Sequence, residues 1–152
     1  MKNILLIIAV FGAFTYTSCK SDDIYSGDCY VPDIPVNITI NMSFAEHFLL
    51  QNMGEYKYLE GGNRGIFLVH NYDDYYYAIE RTCTYQSDLE CSKIFVDSLN
   101  LQLRCGTETD TGFVECCTSK FTFDSRVIAG PSRCNLKTYR VNKSGNTLYI
   151  NN

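Results

Sequence analysis

Eight cysteines crowd into 152 residues, and sulfur chemistry therefore sets the terms on which this chain folds. Cytosolic glutathione would keep such thiols reduced, so the density points to an oxidising compartment or to bound metal. Twelve Tyr and nine Phe with no Trp, set among many Val, Ile and Thr, suit pleated, half-buried surfaces better than helices. A formal charge of -4 excludes a nucleic-acid partner, because binding a phosphate backbone requires a basic face that releases counterions. With 45% apolar and 20% charged residues, the chain has the composition of a globular protein.

The N-terminus favours the oxidising compartment. Met1-Lys2-Asn3 is a short positive start and Ile4 to Phe14 is an apolar run of signal-peptide length, too short to span a bilayer. Thr15-Tyr16-Thr17-Ser18 then leads into Cys19. Small residues before the first cysteine are similar to the lipobox that directs acylation of that cysteine and cleavage ahead of it, although Tyr16 replaces the usual aliphatic residue. The expectation is a signal peptide over 1–18, an acylated tether over 19–35 and a folded domain over 36–152. Cys19 is the expected lipidation site, and its fatty-acyl chains make the membrane the first expected partner. Lys20-Ser21-Asp22-Asp23 looks like the acidic sorting segment of Gram-negative outer-membrane lipoproteins, some of which reach the cell surface.

The mature chain reads as strands and turns. Val36 to Asn41 alternates apolar with polar, the period-2 signature of a strand with one buried face. Phe44 to Leu50 is compatible with a short helix or a strand. Gly65 to Tyr72 and Tyr75 to Glu80 flank Asp73-Asp74, a hairpin signal. Lys93 to Asp97 and Leu101 to Cys105 flank Ser98-Leu99-Asn100, a second one. Lys120 to Phe123, Arg126 to Ile128, Leu136 to Val141 and Thr147 to Ile150 complete the set. Short strands at this spacing predict an all-β antiparallel sandwich or partly open barrel.

Two cysteine stretches carry a more specific likeness. Arg81-Thr82-Cys83-Thr84-Tyr85 follows the first hairpin, and Cys116-Cys117-Thr118-Ser119-Lys120-Phe121-Thr122-Phe123-Asp124 leads into Ala129-Gly130-Pro131. The order resembles the Rieske domain, which carries Cys-x-His in one loop and Cys-x-x-His in a second, followed by an aromatic strand and a Gly-Pro loop. The resemblance covers roughly residues 36–152 and implies a Rieske-like β fold with a small subdomain bearing both cysteine loops. Cys83 and Cys116 match the two cysteine ligands, while Tyr85 and Ser119 stand where the histidines belong. A Rieske cluster needs two Cys on one iron and two His on the other, so half of the set is missing. The resemblance then implies that loops once held together by iron carry a disulfide instead, Cys83 with Cys116, or with Cys117 after a shift of one residue.

Seven cysteines follow Cys19: Cys29, Cys83, Cys91, Cys105, Cys116, Cys117 and Cys134. At least one is left over after pairing. Cys91 and Cys105 lie at opposite ends of the second hairpin within bonding register, and Cys29 is placed to reach Cys134; sequence alone leaves the connectivity open. His47 and His70 lie outside both stretches, and His70 reads as a packed strand residue. A Cys-only cluster from Cys83, Cys91, Cys105 and Cys116 matches no ferredoxin spacing. Of the tyrosines, Tyr75 and Tyr77 share one strand face, Tyr76 takes the other, and an exposed member would suit recognition.

These readings lead to the expectation of a non-enzymatic envelope lipoprotein, outer-membrane and surface-directed. It would have no cofactor or metal, and a protein or glycan partner. The competing expectation is a Rieske-type electron-transfer protein or oxidoreductase subunit that holds a [2Fe-2S] cluster through Cys83 and Cys116.

Overall fold

The computed structural model describes residues 29–152. The leader, Cys19 and the acidic segment lie outside them. Among the described residues, ten strands form in chain order: β1 (Asn37–Asn41), β2 (Tyr56–Leu59), β3 (Ile66–His70), β4 (Tyr76–Glu80), β5 (Ile94–Asp97), β6 (Gln102–Thr109), β7 (Gly112–Phe121), β8 (Val127–Ala129), β9 (Thr138–Ser144) and β10 (Thr147–Asn151). A 3₁₀ turn, Phe48–Gln51, occupies the stretch that the sequence left undecided. No helix among the described residues is long and apolar enough to cross a membrane.

The strands build two antiparallel sheets. The larger has the order β1-β10-β9-β4-β3-β2 and the smaller β5-β6-β7-β8. Strand β9 pairs with β10 from Arg140 to Ser144 and with β4 at Thr138 and Tyr139. It thereby joins two halves of the larger sheet, which curls around one apolar interior. The architecture is all-β, with a smaller cysteine-bearing subdomain, as the sequence predicts.

Strand β3 explains how the two sheets share one body. All five of its residues are buried, so the run Ile66-Phe67-Leu68-Val69 has no solvent face, the pattern of a strand covered on both sides. Side chains alternate across a strand. Ile66 and Leu68 join Val36, Ile40, Met42, Leu148 and Ile150 inside the curled sheet. Phe67 and Val69 join Ile94, Leu103, Phe121 and Phe123 toward the smaller sheet.

A buried carboxylate fixes the turn before β3. Glu80 is fully buried. Its Oε1 accepts from the Arg64 amide at 2.9 Å and from the Thr82 amide and hydroxyl at 3.1 and 2.9 Å. Its Oε2 accepts from the Asn63 amide at 2.8 Å and the Tyr139 hydroxyl at 2.7 Å. A buried charge is tolerated when its lone pairs are taken up in this way. The sequence offered no sign of this hub.

Residues 29–35, within the span expected as a tether, carry no strand but are fastened to the domain. Tyr30 accepts from Ser87 Oγ at 2.6 Å, and Asp33 forms an ion pair with Lys137 at 2.7 Å.

Candidate functional site

The cysteines converge because three backbone arrangements meet. After β4, residues 81–83 run antiparallel to 92–94: Thr82 bridges Lys93, the Ile94 amide donates to Arg81, and the Cys83 amide donates to Ser92 at 3.1 Å. This brings Cys83 to the edge of the smaller sheet. Strands β6 and β7 then place Cys105 opposite Cys117, a cross-strand pair whose side chains meet on one face. The register shifts on both sides of Cys105, from Lys120 to Cys117 and from Cys117 to Glu115. Cys116 is therefore the extra residue of a β-bulge, which re-aims a side chain.

The re-aimed Cys116 bonds to Cys91, with Cα atoms 5.5 Å apart, and Cys29 bonds to Cys134, with Cα atoms 5.6 Å apart. The second pair is the one proposed for the segment before the domain. The first corrects two expectations: Cys116 is not paired with Cys83, and Cys91 is not paired with Cys105. The physical reason is the bulge, which also places Cys116 and Cys117 within β7 rather than in a loop. Cys117, the alternative partner for Cys83, is its neighbour without being bonded to it, with Sγ atoms 3.9 Å apart.

Cys83, Cys105 and Cys117 form no disulfide among the described residues. Their sulfurs lie within 4.8 Å of one another. Cys83 and Cys105 have no exposed surface, and Cys117 is half-buried. Ser92 Oγ lies 3.9 Å from Cys105 Sγ and donates to the Tyr85 carbonyl at 2.8 Å. The hydrogen bond from Cys105, aided by the Tyr85 amide and Cys117, holds the Cys83 thiol down to about 7 against the opposing effect of burial. The same bond, together with burial and the proximity of a thiolate, pushes Cys105 well up. One sulfur of the pair is thus a thiolate near neutrality and the other its donor.

The positions that match Rieske histidines have other work. Ser119 is fully buried and its Oγ accepts from the Ser132 amide at 3.1 Å. This pins the Gly130-Pro131 loop, where a Cβ on Gly130 would lie 2.4 Å from Ser119 Cα. Tyr85 packs half-buried against the core. With Cys116 committed to Cys91 and no imidazole at 85 or 119, the residues present do not fit a Rieske cluster. The Cys83 and Cys116 metal pair is not available either. A cluster on Cys83, Cys91, Cys105 and Cys116 fails likewise, since two of the four form a disulfide.

The histidines lie apart from the trio. The His70 ring stacks on Tyr76 at 4.2 Å and its Nε2 meets Asp74 at 2.9 Å, the packed strand residue that the sequence suggested. His47 Nδ1 meets Lys57 Nζ at 3.1 Å. Tyr72 and Tyr75 are exposed, whereas the Tyr77 hydroxyl donates to Asp73. Sequence reading singled out Cys83 and Cys117 but missed that Cys105 joins them. The signal available was its placement one strand across from the Cys116-Cys117 pair.

No family model matches the chain, and no curated protein does. Among solved structures it is similar to the cyanobacterial plasma membrane Rieske protein PetC3 from Synechocystis PCC 6803, at 23% identity and a TM-score of 0.44 over 57% of this chain and 75% of that one. It is also similar to the ferredoxin of carbazole 1,9a-dioxygenase from Nocardioides aromaticivorans IC177, at 14% identity and a TM-score of 0.46 over 78% of this chain and 97% of that one.

Proposed function

We propose that this chain is a non-enzymatic envelope lipoprotein, anchored through Cys19 and directed to the outer membrane. In this reading its β domain serves as a disulfide-braced structural or binding module. The observation that carries it is the Cys91–Cys116 disulfide, which takes up a cysteine that the Rieske pattern would give to iron. Tyr85 and the buried, hydrogen-bonded Ser119 supply no imidazole, so an electron-transfer role through a Rieske cluster lacks its donor set. Two disulfides in one small domain suit an oxidising compartment, consistent with the signal-like leader and the lipobox-like stretch before Cys19.

Two measurements test this reading. The protein isolated from its native host should be colourless, and metabolic labelling with a fatty acid should mark it, with the label lost in Cys19→Ser. Charge-transfer bands in the visible spectrum would overturn the non-cofactor reading, and an unlabelled wild-type chain would overturn the anchored one.

A further inference from the structure

The three reduced sulfurs beside two completed disulfides call for an explanation of their own. We propose that Cys83, Cys105 and Cys117 form a three-thiolate site for one thiophilic divalent cation of the Zn(II) type. Geometry is the first support. Thiolates sit about 2.3 Å from such an ion, which places two sulfurs about 3.8 Å apart in tetrahedral and about 4.0 Å apart in planar trigonal coordination. The Cys83 and Cys117 sulfurs are 3.9 Å apart, and the whole trio closes within 4.8 Å. A disulfide instead requires sulfurs at about 2.05 Å.

Number is the second support. Any single disulfide within the trio leaves one of its three sulfurs unengaged, whereas one ion engages all three. Thiolate donors also select soft or borderline ions over Mg(II) or Ca(II). Access is the third, since Cys117 is half-buried and gives the ion a route in while Cys83 and Cys105 are enclosed. On binding, three sulfur–metal bonds form, each thiol still protonated gives its proton to solvent, and no electrons move. The site shares Cys83 with the Rieske-like positions but is a different donor set, because Cys105 matches neither cysteine position, Cys117 reaches one only after a shift of one residue, and three thiolates replace two Cys and two His.

The test uses the whole chain with both disulfides intact, purified from its native host under inert gas and titrated with Cd(II) alone as the optical probe. One equivalent should bind, with an ultraviolet thiolate-to-metal charge-transfer band and release of protons, and Zn(II) should displace it. Cys117→Ser should weaken binding by more than roughly 100-fold, the upper end of what losing a mere outer-shell partner costs. Should that variant fold poorly, alkylating the half-exposed Cys117 in the folded wild type should abolish the band. Cys91→Ser with Cys116→Ser should leave one equivalent bound. Absence of the band, binding untouched by loss or alkylation of Cys117, binding lost with the 91–116 pair, or a Cys83–Cys117 disulfide in the isolated protein would each overturn the proposal. None of these outcomes bears on acylation of Cys19, so the anchored-module reading stands or falls separately.

Discussion

The Tyr139 hydroxyl donates to Glu80 Oε2 at 2.7 Å, joining the end of β4 to the strand that links both halves of the curled sheet. Burial and this bond to a carboxylate push the Tyr139 hydroxyl well up, so it remains a donor through neutral pH and beyond its ordinary range. Glu80→Gln turns acceptor capacity into an amide that must face donors. It should cost about 3 kcal/mol, and Tyr139→Phe about 2 kcal/mol, at the scale of hydrogen bonds to charged groups. Urea unfolding of the two variants and the wild type checks both values.

The Cys91–Cys116 bond closes a separation of 25 residues. Replacing both residues by Ser should lower stability by about 3 kcal/mol, the loop-entropy value for a loop of that size. Denaturant melts without added reductant measure it, and an unchanged midpoint would mean that the bulge holds β7 unaided.

Gly130 adopts φ +91, and a Cβ there would lie 2.4 Å from Ser119 Cα. Gly130→Ala should therefore cost at least about 2 kcal/mol through backbone strain and steric overlap. The Ser132 amide should lose its protection from hydrogen exchange, since its partner Ser119 Oγ sits beneath that loop.

The thiol pair gives a pH dependence of defined sign. Folded Cys83 loses its proton at about 7, whereas the unfolded chain holds that proton up to its ordinary 9.0. Between these values the unfolded state binds more protons, so the contribution to stability rises with pH, and it is lost as pH falls through about 7. Above 9.0 the sign reverses, because folded Cys105 is pushed up and retains a proton that the unfolded state has released. Metal-free protein unfolded by urea across this range should show a maximum near pH 9. Cys105→Ala should flatten the rise by removing the donor that holds Cys83 down, whereas a rise that survives this change would dissociate the low Cys83 value from Cys105.

Much of this architecture was legible in the residues. The alternation of Val36 to Asn41, the Asp73-Asp74 turn and the Ser98-Leu99-Asn100 tip place β1, the β3–β4 hairpin and the β5–β6 hairpin close to where they occur. Strand β2 was not seen, because Tyr56-Lys57-Tyr58-Leu59 is only half-buried and too short to show a period. The N-terminal part of β7 escaped because its residues are largely exposed and follow no strict alternation. Disulfide partners escaped for a related reason. Pairing depends on register, and the bulge at Cys116 displaces register in a way that no local residue pattern announces. Glu80 is the clearest omission: a lone acid at a strand end gives no hint that five donors will converge on it, three of them from distant segments.

Strand β3 faces two packed interiors and no solvent, which leaves evolution little freedom there. On an ordinary edge or one-sided strand, every second position drifts cheaply among polar residues. From Ile66 to Val69 each position answers to one apolar compartment or the other, so substitutions in this segment should be the least forgiving in the chain. A scan of all replacements across 66–69 would then yield a continuous block of intolerance rather than the comb of alternating permissive sites that β1 should give.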